Sequence, residues 1–237
     1  LITIEEYDEK TDKEEFVLLP LEDDLVIGKY QERRNMLEYG HQIAVRKTVY
    51  EKLISVAKDL KEINVNYKVI VVYGFRDMKK QEKYFNEILE EVKENFQDEM
   101  EMYEYIHEKI AVPVVSGHPT GGAVDAAIYD SKENRILDFG SEILDYSTIQ
   151  CYYETDDISE EAKNNRKILR RIMMKEGFAP YDGEWWHFSY GDKEWAFYYD
   201  KEKALYNQVE ASRIFGEKNS YHNYVDKTNN IIYNNTS

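Results

Sequence analysis

From Ser116 to Asp130 the chain reads S-G-H-P-T-G-G-A-V-D-A-A-I-Y-D, and this order leaves little choice of local structure. Gly117, Pro119, Gly121 and Gly122 make a loop, because glycine and proline punctuate helices and strands alike. Ala123 to Tyr129 then alternates as a strand, with Ala123, Asp125, Ala127 and Tyr129 on one face. The loop carries His118 and the strand carries Asp125, and the glycines let the backbone fold His118 back over that strand. Downstream, Gly183 to His187 reads G-E-W-W-H, with Glu184 three residues before His187.

Composition narrows the partners. Against 31 basic residues stand 47 acidic ones, for a formal charge of -16, so nucleic acid or an anionic membrane surface would be repelled. A small zwitterionic substrate escapes that objection. Cys151 is the single cysteine, which excludes an intramolecular disulfide and a cysteine-based zinc cluster, so any metal must be held by histidine and carboxylate. No window approaches the roughly 18 consecutive apolar residues of a membrane span, so no membrane insertion is expected. The opening L-I-T-I-E-E-Y-D-E-K lacks the basic and apolar regions of a signal peptide. A cytoplasmic place is expected, with a periplasmic or exported one as the alternative if a leader has been removed.

With 237 residues, the chain reads as a single domain, with residues 1–45 an N-terminal arm and 217–237 an asparagine-rich mobile tail. In the arm, Phe16 to Leu19 before Pro20 suits an edge strand or a loop anchor. From Lys47, Val49, Leu53, Val56, Ala57 and Leu60 fall at three- and four-residue steps, predicting a helix with one apolar stripe. The β-branched run Lys68 to Tyr73 predicts a buried strand, with Arg76 just beyond its end. Met78 to about Ile110 is helical in pattern, with a break near Gln97 to Glu99. A turn at Ser131 to Arg135 precedes a return strand at Ile136 to Phe139. Asp157 with Glu160 predicts a capping box for a helix to about Glu176, stopped by Gly177. Phe178 to Tyr181 and Trp186 to Tyr190 predict a hairpin around Asp182 and Gly183, and Lys201 to Phe215 a last helix.

The residue types near the two motifs carry a chemistry. Zinc in a hydrolase takes three protein ligands and keeps one position open for a water that attacks a carbonyl, and His118, Asp125 and His187 supply that set. The reaction also needs a base beside the water and an acid for the leaving amine, and Glu184 can be both. Arg76 is the candidate to stabilise the developing oxyanion. Each residue has an ordinary alternative. A histidine in a glycine-rich loop is usually just polar, an aspartate in a strand often caps a turn, and a lone arginine usually sits in a salt bridge. His41, His107 and His222 have no such context and read as structural or solvated. Trp185 and Trp186 read as core or pocket wall, and Cys151 as inert.

Taken together, the motifs resemble those of the zinc-dependent D-Ala-D-Ala dipeptidases and carboxypeptidases, S-x-H-x-x-G-x-A-x-D and E-x-W-H. Ser116, His118, Gly121, Ala123 and Asp125, then Glu184, Trp186 and His187, match every fixed position. V-I-V-V-Y-G-F-R and N-R-K-I-L-R-R-I-M-M-K-E-G-F are similar to segments of the vancomycin-resistance type of dipeptidase, so the resemblance runs from about residue 45 to about 195. It implies an α+β fold, a central antiparallel sheet flanked by helices on a hedgehog/D,D-peptidase-like zinc peptidase scaffold. It also implies one zinc ion per chain, Glu184 as general base and acid, Arg76 as stabiliser of the intermediate, and Ser116 as a substrate contact. The chain departs from the pattern at Tyr73, where the family has Asp, and at Asp77, where it has Pro. Asp145, a candidate for the substrate's amino end, stands one residue late.

The expected activity is hydrolysis of D-Ala-D-Ala or a related short D-amino-acid peptide by zinc-activated water. The alternatives are a D,D-carboxypeptidase or endopeptidase acting on peptidoglycan stem peptides, and a non-catalytic zinc-scaffolded binding module. The partner expected is accordingly a small dipeptide or a peptidoglycan-derived peptide.

Overall fold

The computed structural model describes residues 4, 6–29, 42–107 and 112–216. The expected mobile tail, His41 and His222 lie outside them, as does the side chain of His107. The elements run β1 (Phe16–Leu18), β2 (Val26–Gly28), β3 (Ala44–Arg46), α1 (Lys47–Ile63), β4 (Tyr67–Tyr73), α2 (Met78–Val92), α3 (Glu99–His107), β5 (Ala123–Asp130) and β6 (Arg135–Ile136). There follow α4 (Glu160–Lys175), β7 (Ala179–Tyr181), β8 (Glu184–Ser189), α5 (Lys193–Tyr198) and α6 (Ser212–Phe215). This is an α+β fold around a six-stranded sheet, in the order β2-β4-β5-β8-β7 with β6 paired to β5. Every pairing in it is antiparallel except β2 with β4, which run parallel. Parallel neighbours need a crossover, and α1 lies between those two strands in the chain.

The stripe on α1 is the one that the periodicity predicts: Val49, Leu53, Val56, Ala57 and Leu60 are its buried residues. That helix packs on β4 and on α4, and α4 packs on β7 and β8. The main core joins these helices to Val69 through Tyr73, Val124, Ala126, Ile128 and Phe188 of the sheet. Helices α2 and α3, separated by a break at the expected place, share a small core of their own around Phe85, Val92 and Ile106.

Three expectations are corrected. The cap of α4 is Ser159, whose Oγ accepts the Ala162 amide at 3.0 Å, while Asp157 is taken up by Gln150 Nε2. The return strand is Arg135–Ile136 alone. Lys201 to Phe215 is helical only at Ser212–Phe215, because its amides find partners elsewhere: Ala204 on Glu6 O, Leu205 and Tyr206 on Gly191 O, Val209 on Pro119 O. Tertiary hydrogen bonds override local helix preference in that stretch. The helical turn absent from the prediction is α5, capped by Asp192, whose Oδ1 accepts the Trp195 amide at 2.8 Å.

Residues of the N-terminal arm are part of the body. Strand β1 pairs with β3, and β2 is a buried edge of the main sheet. Arg46, fully buried, ties this arm to the rest: its guanidinium donates to Asp12 O, Asp12 Oδ1 and Glu14 O, to Thr120 O of the histidine loop at 2.7 Å, and to Asn207 O. The rings of Phe16 and Tyr206 lie against it, with centroids 4.4 and 4.6 Å away. Burial lowers its pKa, against the pull of Asp12.

Candidate metal centre

The site is built on one rung of the sheet. In the register of β5, Asp125 lies opposite His187 of β8 on one side and Tyr73 of β4 on the other. Residues opposite one another across a ladder share a face, so the strands by themselves bring these three side chains together. Two irregularities complete the placement. Strand β4 carries a bulge between Val71 and Tyr73, and the extra residue brings Tyr73 rather than Val72 beside Asp125. In the β7–β8 hairpin, Pro180 pairs with Phe188 but Tyr181 with Glu184. A spacing of three would send Glu184 and His187 to opposite faces of a regular strand, and the shifted register removes that conflict.

His118 arrives from the loop. His118 to Thr120 forms a single 3-10 turn, ended by Gly121 at φ 73°, where a side chain is strained and would also strike the Phe16 ring. His118 Nδ1 lies 2.8 Å from Gly74 O, and its Nε2 lies 3.6 Å from Asp125 Oδ1. His187 meets the same oxygen through its other nitrogen, Nδ1, at 3.1 Å. All three residues are buried, and one ligand atom from each lies within 4.8 Å of the others, the only such group among the described residues. Asp125 Oδ2 is buried with no hydrogen-bond partner. A buried, unsatisfied carboxylate oxygen beside two imidazoles is costly as it stands and is what a cation would satisfy. Two imidazoles and one carboxylate make a zinc donor set with a position left open.

The three groups shift one another's protonation. Burial opposes charge on Asp125, but His118 and His187 outweigh it and hold the carboxyl well below its usual range. Burial lowers the pKa of His118, keeping the imidazole neutral, the form that ligates. On His187 burial acts the same way but is overcome by Asp125 and Glu194, and the pKa rises.

Around this centre stand groups that bear on chemistry. Glu184 is pushed up to about 7, first by burial and then by Asp125, against His187 and Arg76. Its Oε2 accepts the Trp186 indole N–H at 2.8 Å, and the Tyr146 hydroxyl lies 3.5 Å away. Arg76 is buried, donating from Nε to Tyr73 Oη at 3.1 Å and from Nη1 to Gln81 Oε1 at 2.7 Å. Burial would depress its pKa, but Tyr73, Tyr146 and Asp125 together raise it, so the guanidinium stays charged. Both departures from the family pattern thus have a place here. Tyr73 grips Arg76, and Asp77 caps α2 through the Lys79 amide while its Oδ2 accepts the Ala211 amide.

Of the remaining candidates, Ser116 is buried in the loop, its carbonyl accepting from Gln208 Nε2 at 3.0 Å. The carboxylate of Asp145 accepts from the amide and hydroxyl of Ser147, and the neighbouring Tyr146 is the residue of that loop whose ring lies against Trp186. Cys151 is buried and its thiol pKa raised by that burial, an unreactive state. Sequence reasoning missed Tyr146, Gln81, Asp192 and Glu194. The last two had a signal, since D-K-E-W after a strand is an N-cap with an acidic first turn.

Comparison with known proteins finds relatives of the chain. A D-alanyl-D-alanine dipeptidase of Synechocystis is 27% identical over 196 residues, 70% of this chain and 79% of its own. One of Enterococcus faecium is 32% identical over 78 residues, 33% of this chain and 38% of its own. A solved structure of the LdcB LD-carboxypeptidase superposes with a TM-score of 0.43 at 18% identity, covering 81% of each chain. The family model described as Peptidase M15, D-ala-D-ala dipeptidase, matches residues 24–208, and the chain belongs to that family.

Proposed function

We propose that the protein is a zinc peptidase that hydrolyses D-Ala-D-Ala or a closely related short D-amino-acid peptide, with the whole chain acting as one catalytic domain. The observation that carries this reading is the convergence of His118, Asp125 and His187 beside a Glu184 whose carboxyl sits near neutrality. His118, Asp125 and His187 would hold the metal, which would polarise the scissile carbonyl and acidify water. Glu184 accepts the proton of the attacking water and delivers it to the departing amine nitrogen as the C–N bond breaks. Arg76, held charged and clamped by Tyr73 and Gln81, offers its remaining N–H groups to the oxyanion. Ser116 helps to seat the substrate.

The direct test is release of D-alanine from the dipeptide. Chelation should abolish it, and so should Glu184→Ala with zinc content still near one per chain. Full turnover by that variant would overturn the role of Glu184, and bound zinc without turnover on any D-amino-acid peptide would favour a binding module.

A second reading has one observation in its favour. Asp145, the candidate for the substrate's free amine, turns its Oδ1 to the amide and hydroxyl of Ser147, which favours a D,D-carboxypeptidase or endopeptidase on peptidoglycan stem peptides. Turnover of an N-blocked peptide at the rate of the free dipeptide would decide for it.

Among the described residues, no helix is long and apolar enough to cross a membrane. Because the single cysteine allows no intramolecular disulfide, folding demands no oxidising compartment, which is compatible with the cytoplasm. Fractionation of the native host tests that placement.

A further inference from the structure

The two histidines face Asp125 with opposite nitrogens. His118 uses Nε2 and lodges Nδ1 on the Gly74 carbonyl, whereas His187 uses Nδ1 and directs Nε2 at Glu194 Oε2, 3.5 Å away. A neutral imidazole has one N–H and one lone pair, and the acceptor it faces decides which nitrogen keeps the proton. For His118 that acceptor is a backbone carbonyl. For His187 it is a carboxylate, which also makes the imidazole a more basic ligand.

The position of Glu194 is built. It lies in the first turn of α5, directly after the strand that carries His187, and the buried Asp192 caps that helix through the Trp195 amide. The Trp195 indole donates to Gly177 O at 2.9 Å, and Tyr190 packs against the same ring. The helix therefore has a fixed angle to the sheet. Tyr181 stands edge-on to the His187 ring at 6.1 Å, so the imidazole is confined by packing as well.

We propose that Glu194 is a positioning residue for the metal, holding the proton of His187 on Nε2 so that Nδ1 presents its lone pair beside Asp125. The inference rests on the reading of His118, Asp125 and His187 as the zinc ligands.

The test is zinc affinity, measured on the metal-free protein by competition with a chromophoric chelator. Glu194→Ala should weaken binding by about 10- to 100-fold, the range for partners that orient a ligating histidine. Glu194→Gln, which keeps an acceptor without the charge, should recover part of that loss, and the melting temperature of the metal-free protein should be the same in all three. In the zinc-loaded protein the His187 Nε2–H proton resonance should move upfield in Glu194→Ala, the mark of a lost carboxylate partner. Wild-type affinity in Glu194→Ala overturns the proposal and leaves the ligand set intact. So does an equal loss in both variants accompanied by a lower melting temperature. A wild-type protein that binds no zinc overturns the proposal and the ligand assignment together.

Discussion

Asp125 Oδ1 lies 3.1 Å from His187 Nδ1, on a rung where the two residues are direct partners of adjacent antiparallel strands. The proposed ligand pair is thus set by sheet register, and only His118 depends on a loop. Asp125→Ala should remove the carboxylate and leave two imidazoles, lowering zinc affinity by more than the roughly 100-fold ceiling of outer partners. Chelator competition measures it, and stoichiometric tight zinc in that variant would remove Asp125 from the ligand set.

The pH profile should carry the signature of Glu184. Burial raises its carboxyl to about 7 without a metal, and a bound cation, being positive, pulls it down. The base must be ionised, so kcat/KM should fall as pH drops, along a limb that lies below 7 in the zinc enzyme. Infrared titration of the metal-free protein should find two carboxyls near 7, Glu184 and Asp192, and the one missing in Glu184→Gln should move down on zinc addition. A carboxyl titration unchanged by zinc would sink the assignment.

Gly117 is required by contact. A Cβ there would meet Asp192 Oδ2 at 2.1 Å and Ala123 Cβ at 3.0 Å, and the carboxylate cannot retreat without loosening its cap on α5. Gly117→Ala should destabilise the protein by about 1–3 kcal/mol, the usual range for overpacking. Thermal denaturation of the metal-free form checks it, and an unchanged midpoint would show that Asp192 gives way freely.

Asp77 joins the start of α2 to the chain near α6. Asp77→Ala should cost about 0.5–2 kcal/mol from the lost cap, and it leaves the buried Ala211 amide without its acceptor. Exchange of the Ala211 amide proton should quicken in the variant. Exchange as slow as in wild type would mean that another group holds that segment.

Much of this was legible in the chain. The α1 stripe, the β4 run and the His118–Asp125 spacing are periodic or punctuated patterns, and the structure repeats them. The segment 201–211 was not legible, because its amides bind Glu6, Gly191 and Pro119, partners far away in sequence. The spacing of Glu184 and His187 does not by itself bring both to one face. What does so, a register shift in a hairpin, leaves no composition of its own. Tyr73 was a departure from a pattern until the bulge placed it beside Asp125 and under Arg76.

The guanidinium of Arg46 gathers Asp12, Thr120 and Asn207 into one buried knot. The segment bearing the diagnostic motifs is therefore not a portable unit. An engineer who trimmed the chain to residues 45–195 would keep every proposed ligand, strand β5 and Arg46, yet would delete Asp12 and Asn207, which hold Arg46 against the Thr120 carbonyl of the histidine loop. Grafts, truncations and chimeras of this protein should be cut around that knot.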